Sequence, residues 1–143
     1  MLLGEFHCSA DAEGRLTMPP AFQAELVKGV TVTRGVERCL LVYPATEWQK
    51  LAQKVGRLPL TSQSARAFSR FLFSGAAVCA PDQSGQLSLP DQLRRYARIE
   101  DEAIVVGLLL HVEVWSPGLW RTAKSCFVEE GAALAEKLSE FGI

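Results

Sequence analysis

Asp11-Ala12-Glu13-Gly14-Arg15 sets a carboxylate four residues ahead of a guanidinium, with a glycine between them. This is tight-turn chemistry: Asp accepts backbone N–H bonds from the residues that follow, and Gly takes the positive φ that closes the turn. Two uses of Arg15 fit. It is a solvated charge on a hairpin, or the turn lifts it into a groove of nucleic acid. There its planar fork would pair bidentately with guanine O6/N7 or a phosphate. Asp11 either orients that guanidinium or stabilises the turn, and the sequence does not separate the two. Arg34 and Arg38 flank a second turn, Gly35-Val36-Glu37. They offer phosphate contacts or plain solvated charge on equal terms.

Little else in the chain is reactive. The two histidines, His7 and His111, each fall in an expected strand and lie far apart. No closely spaced His/Cys pairs suggest zinc, and no Gly-x-Ser-x-Gly elbow, P-loop or Gly-x-Gly-x-x-Gly occurs. His7 and Cys8 are neighbours on one strand, so they point to opposite faces. No catalytic residue, metal ligand or cofactor is therefore expected. Cys8, Cys39, Cys79 and Cys126 are spaced by 31, 40 and 47 residues without a Cys-x-x-Cys pair. Free, mostly buried thiols in a reducing cytosol are the expectation. The longest apolar run, Ala103 to Leu110, is too short for a membrane helix of roughly 20 residues. Met1–Glu5 lacks the basic start and apolar run of a signal peptide, so a cytoplasmic location is expected.

A net charge of −1 argues against a generic basic nucleic-acid binder. The total conceals a split. Residues 1–71 carry nine Lys/Arg against six acids, and residues 72–143 carry six against ten. The first half is thus the better candidate for an anion-binding face.

The chain repeats itself. At an offset of 71, Cys8, Asp11, Gly14, Leu16 and Pro19 fall on Cys79, Asp82, Gly85, Leu87 and Pro90. After one inserted residue the offset becomes 72, and Gly35, Val42 and Trp48 fall on Gly107, Val114 and Trp120. Order and spacing both hold, which marks an internal duplication.

Each copy predicts the same elements: an extended segment, the Asp-x-x-Gly turn, a short strand (Arg15 to Met18, Gln86 to Leu89), then a proline opening a helix (Pro20 to Val27, Asp91 to Ala97). Two apolar strands follow, Val30 to Thr33 with Cys39 to Tyr43, and Ala103 to Val106 with His111 to Trp115. Trp48, Leu51, Ala52 and Val55 form one face of a connecting helix. Thr61 is the expected N-cap of a second helix through Phe73, and Cys126 to Phe141 reads as a last helix. A module of this size closes a poor core alone. Two copies sharing strands in one pseudo-twofold barrel is the expected solution.

These features together resemble the MraZ family of transcriptional regulators, built from swapped-hairpin modules of the AbrB/SpoVT type. The matching runs are Gly4-Glu5, Asp11-x-x-Gly-Arg15-Leu16-x-x-Pro19, Thr33-Arg34-Gly35, Cys39-Leu40 with Tyr43-Pro44, and Glu47-Trp48. Ala65 to Ala76 is similar to that family's connector between halves. The resemblance implies a nucleoid-associated regulator that assembles into a ring. It would bind repeated boxes on double-stranded DNA upstream of a division and cell-wall gene cluster that includes its own gene. Asp11 and Arg15 match the family's Asp-x-x-x-Arg motif, whose turns face DNA. In the second copy Asp82 and Gly85 match, but Gln86 stands in place of the arginine.

The expectation is a mainly β protein with short helices (α+β). Residues 5–48 form one module, 49–75 a helical connector, 76–120 a second module and 121–143 a terminal helix. Asp11, Gly14, Arg15, Arg34 and Arg38 are the DNA-contact candidates, with Asp82, Gly85 and Gln86 as the second turn. The expected function is repression of its own gene cluster by a homo-oligomer, without a membrane partner. A structural assembly protein with weak or lost DNA binding is the alternative. An antitoxin-like module is a further rival, disfavoured because no long toxin-binding tail is evident.

Overall fold

Prolines set the phase of both copies. Pro19 and Pro90, with φ of −55° and −57°, each end a three-residue strand and cap a seven-residue helix. In the computed structural model, which describes residues 1–142, the first copy contributes β1 (Leu2–Ser9), β2 (Arg15–Thr17), α1 (Pro20–Leu26), β3 (Val30–Arg34) and β4 (Leu40–Pro44). Two helices follow, α2 (Ala45–Gly56) and α3 (Gln63–Ser74). The second copy contributes β5 (Ala77–Cys79), β6 (Gln86–Ser88), α4 (Asp91–Ala97), β7 (Glu102–Leu109) and β8 (Val112–Trp115). It closes with α5 (Pro117–Glu129), α6 (Gly131–Lys137) and a 3-10 turn at Ser139–Phe141. The fold is mixed α+β, with antiparallel sheets and short helices.

The copies exchange strands. β1 of the first pairs with β7 of the second, and β5 of the second pairs with β3 of the first. The main sheet has the order β1-β7-β8-β4-β3-β5, so it reads the same from either end once the copies are interchanged. β2 and β6 pair separately as a two-stranded ribbon. The symmetry reaches single residues: Leu16 faces Leu87 across the ribbon, and Leu41 faces Glu113 across the β4–β8 seam. Each residue thus meets its own repeat counterpart, and a pseudo-twofold axis runs through both pairs. The described ladders give an open six-stranded sheet, with β1 and β5 as its edges, rather than strands paired all the way round.

The core belongs to neither copy alone. Leu16, Met18, Phe22, Leu26, Val32 and Val42 pack in one cluster with Leu87, Leu89, Leu93, Val105 and Val114. Burial of this kind contributes about 25 cal/mol per Å² of apolar surface, and here each copy supplies the surface the other buries. A smaller cluster joins Ile104, Val106, Trp115 and Trp120 beneath α5.

Several boundaries differ from the sequence expectation. Val30 and Val32 share the central cluster with Ala103 and Val105, while Ile104 and Val106 face α5. Strand parity therefore sets Val32 on Val105, so the repeat offset is 73 in these strands and returns to 72 in β4 and β8. Gly107 consequently matches Arg34, and not Gly35 as the linear alignment has it. Gly107 faces Gly4 of β1, and a Cβ there would lie 2.5 Å from the Leu2 carbonyl carbon. Only glycine permits that approach. His111 lies in the turn between β7 and β8 rather than in a strand, stacked on Tyr43 at 4.6 Å. Ser62, not Thr61, caps α3 by accepting from the Ala65 N–H. The expected last helix is broken at Glu130 into α5 and α6, and the segment 121–143 ends on Ile143, which lies outside the described residues.

Candidate nucleic-acid interface

Both Asp-x-x-Gly turns fold by the same hydrogen bonds. In the first, the Glu13 and Arg15 N–H groups donate to Asp11 Oδ1 at 3.0 and 2.9 Å, and the Gly14 N–H donates to the Asp11 carbonyl at 3.0 Å. In the second, Ser84 and Gln86 donate to Asp82 Oδ1 at 2.8 and 2.9 Å, and Gly85 to the Asp82 carbonyl at 2.9 Å. Gly14 and Gly85 take φ of +83° and +78°, the left-handed region open to glycine. The aspartates have thus built the same turn twice.

Only the first turn carries a cation. Arg15 Nε donates to Asp11 Oδ2 at 2.7 Å, so Asp11 both shapes the turn and aims the guanidinium. The Arg15 backbone and side-chain donors hold the Asp11 carboxyl below its usual pKa, and Asp11 raises that of Arg15 in return. A second arm of the fork reaches Glu13 at 3.1 Å, and the Arg15 side chain remains 44% exposed. In the second turn Gln86 Nε2 donates weakly across the ribbon to Thr17 Oγ1 at 3.5 Å.

The other two candidate arginines are held by the fold. Arg34 Nε donates to the Phe71 carbonyl at 3.0 Å, its Nη2 donates to Ser74 Oγ at 2.5 Å, and the guanidinium sits over the Phe71 ring. It closes the C-terminal end of α3 against β3, beside Thr33, whose hydroxyl donates to the Leu72 carbonyl. Arg38 is exposed and stands over the Tyr96 ring of α4, 4.8 Å from its centre. The Tyr96 hydroxyl donates to the Gly35 carbonyl and so ties that turn to the second copy. Neither arginine lies on the Asp11–Arg15 turn.

The exchange brings in residues that the sequence reading missed. Leu89 N–H donates to the Gly14 carbonyl, and Met18 N–H donates to the Gly85 carbonyl. Each turn is therefore seated on the proline and helix of the opposite copy. Arg94 of α4 covers Gly14 so closely that a Cβ there would lie 2.5 Å from Arg94 Nε. Gln23 of α1 takes the same place at Gly85. Arg95 and Arg98 are exposed on the same α4. The pair Arg94-Arg95 was visible in the sequence, but no linear pattern said which turn it would adjoin.

The remaining reactive groups are packed. Burial pushes the Cys8 thiol up to about 11 and, with the Glu113 charge adding to it, the Cys39 thiol to about 12. Cys39 alone is buried; Cys8 and Cys79 are partly covered and Cys126 is exposed. All four are free. Among the described residues no three His, Cys, Asp or Glu side chains converge as a metal site, and no helix is long and apolar enough to cross a membrane.

Comparison with known proteins bears on both copies. The family profile described as "MraZ protein, putative antitoxin-like" matches residues 1–71 and again residues 72–138. A protein of Herpetosiphon aurantiacus named transcriptional regulator MraZ is 42% identical over 143 residues, the full length of both chains. Its namesake in Moorella thermoacetica is 43% identical over the same span, and that of Roseiflexus castenholzii 40% over 140 residues, 98% of each chain.

Proposed function

The chain belongs to the MraZ family, and from that premise we propose that it is a transcriptional regulator that binds double-stranded DNA through the Asp11–Arg15 turn. Its site is the gene's own promoter region, read as tandem short boxes, with repression of the division and cell-wall genes that follow. The observation that carries this reading is Arg15, aimed by Asp11 from a glycine-closed turn yet still 44% exposed. Arg in that posture suits guanine or phosphate recognition. Residues 5–48 and 76–120 act as two modules of one reader, and the protein works in the cytoplasm against the nucleoid.

One such turn is a weak reader, so assembly into a ring supplies avidity. Several subunits on tandem boxes raise apparent affinity by roughly 10²- to 10⁴-fold without new contacts. Supporting self-association is an open groove of about 1030 Å³ between β7, α5 and α6, lined by Val106, Trp115, Trp120, Phe127 and Leu134. Phe127 and Leu134 stay exposed along it, apolar side chains that a second copy would cover. The sheet and ribbon enclose the common core as a barrel-like unit within each subunit of that ring.

A second reading, a structural assembly protein with DNA binding lost, draws on Gln86, which leaves one turn without its cation. Titration of purified protein on the gene's upstream region separates the two. Wild type binds that region in preference to unrelated DNA, and Arg15→Ala weakens it by about one to two orders of magnitude with an unchanged circular dichroism spectrum. Absence of any preference in the wild type removes the regulator reading. Equal affinities of the two proteins remove Arg15 from it.

A further inference from the structure

The two pseudo-equivalent ends of the molecule differ in one respect, their arginines. Because Leu89 binds the Gly14 carbonyl and Met18 binds the Gly85 carbonyl, each turn shares its surface with the other copy's helix. At an offset of 71, α4 and its C-cap carry Arg94, Arg95 and Arg98 where α1 and its C-cap carry Gln23, Ala24 and Val27. The turns differ in the same sense, Arg15 against Gln86. Arg94 covers Gly14, next to Arg15, and shares one groove with Arg95 and Arg98, so the four arginines belong to one end of the ribbon and the other end has none of them.

We infer that the DNA-contacting surface of this chain is composite: Arg15 from the first copy, with Arg95 and Arg98 of the second copy's α4 as phosphate contacts, and Arg94 as the joint between them. The inference rests on the DNA-binding reading above. It makes the chain one-faced, with a single half-site of contacts per subunit.

The three arginines of α4 play different parts. Arg94 is mostly covered; its Nη2 donates to Asp91 and its guanidinium roofs Gly14, which fixes α4 against the turn. Arg95 is 82% exposed and meets Asp91 only at 3.5 Å. Arg98 is exposed at the left-handed C-cap of α4 and makes no ion pair among the described residues. With Asp91, Ile99 and Glu100 the three arginines line a shallow groove of about 420 Å³. An exposed, weakly paired guanidinium gains by meeting a phosphate, since binding releases a condensed counterion. The charge carried by the acidic second half thus serves the first half's turn, and the strand exchange is what delivers it.

The test is the salt dependence of binding to a duplex carrying the gene's upstream region, between about 50 and 200 mM salt. Arg95→Ala/Arg98→Ala is expected to weaken binding and to flatten the slope of log K against log salt by about 1.8, or 0.9 for each phosphate contact. Lys54→Ala/Lys137→Ala, which removes the same charge elsewhere, leaves the slope at the wild-type value. Gln86→Ala also leaves it unchanged. Light scattering follows the oligomer in each variant, and thermal unfolding checks the fold. A wild-type slope in the Arg95/Arg98 variant overturns the composite face while leaving the Arg15 reading intact. Equal flattening by the lysine variant overturns it too, as a general charge effect. Lost binding with a smaller oligomer assigns these arginines to subunit contacts instead. A wild type without DNA affinity sinks both readings at once.

Discussion

Leu16 and Leu87 face each other at the centre of the β2–β6 ribbon, and neither has measurable exposure. They test whether the copies share one core. Truncating a fully buried leucine costs about 2–5 kcal/mol, from lost transfer energy and the residual cavity. Against a stability of about 5–15 kcal/mol for a small domain, Leu16→Ala removes a large fraction. At a urea slope of about 2 kcal/mol/M, a loss of about 3 kcal/mol moves the midpoint by about 1.5 M.

Tryptophan fluorescence can report on each copy separately. Trp48 packs on Tyr43 and Phe73, while Trp115 and Trp120 pack on each other. Trp48→Phe leaves the second copy as reporter, and Trp115→Phe/Trp120→Phe leaves the first. Unfolding is followed at fixed protein concentration, because self-association would otherwise shift the midpoint. In each background Leu16→Ala is expected to move a single transition by the same amount, and Leu87→Ala to do likewise. The double truncation departs from additivity by about 0.5 kcal/mol or more, since the two cavities adjoin. A second-copy transition that stays at its parent's midpoint when Leu16 is cut would falsify the shared core.

Three further outcomes follow from the geometry. Glu13 engages one arm of Arg15 on the exposed side, so Glu13→Gln frees that arm and tightens promoter binding by roughly 1.5- to 5-fold, read by titration. His111 is partly buried against Tyr43, and burial lowers its pKa below the ordinary 6.5. The unfolded chain then binds the proton more readily, so this contribution is intact above the unfolded pKa and is lost as pH falls from about 6.5. Stability measured by urea should decline there first, and again in the carboxylate range where Asp11 and Asp91 lose their arginine partners; His111→Phe removes the upper step alone. Cys126 is the exposed thiol and lines the apolar groove, so it labels first in dilute protein and slows as concentration rises. A labelling rate independent of concentration counts against self-association through that groove.

Much of the local structure was legible because it depends on local rules. Asp11 and Asp82 announce turns through their own backbone acceptors, Pro19 and Pro90 end strands because they cannot donate, and the paired tryptophans follow a proline-opened helix. Two of the misplacements have equally local causes. Thr61 and Ser62 are both competent caps, and the helix took the second. Gly35 and Gly107 invited a match by type, but side-chain alternation outranks glycine identity, since a slip of one residue turns every strand residue to the wrong face. Arg34 looked like a turn charge because its partners, the Phe71 carbonyl and Ser74, arrive from a helix 37 and 40 residues away. No periodicity encodes that meeting.

The charge count by halves meets a limit of a different kind, one of topology. Dividing the chain at its repeat boundary gave a basic half and an acidic half, and suggested an anion-binding face in the first. That inference assumes each half of the sequence becomes one half of the surface. Strand exchange breaks the assumption: β1 lies on β7, β5 on β3, and each turn rests on the other copy's helix. A surface patch here mixes residues some 80 positions apart: Arg94 lies over Gly14, next to Arg15, although they belong to halves of opposite net charge. Divergence after duplication acts on these mixed surfaces. A substitution in one turn changes the surface shared with the other copy's helix: Gln23 covers Gly85, next to Gln86, at one end, and Arg94 covers Gly14, next to Arg15, at the other. In a swapped duplicate, the unit on which charge should be counted is the turn of one copy with the helix of its partner.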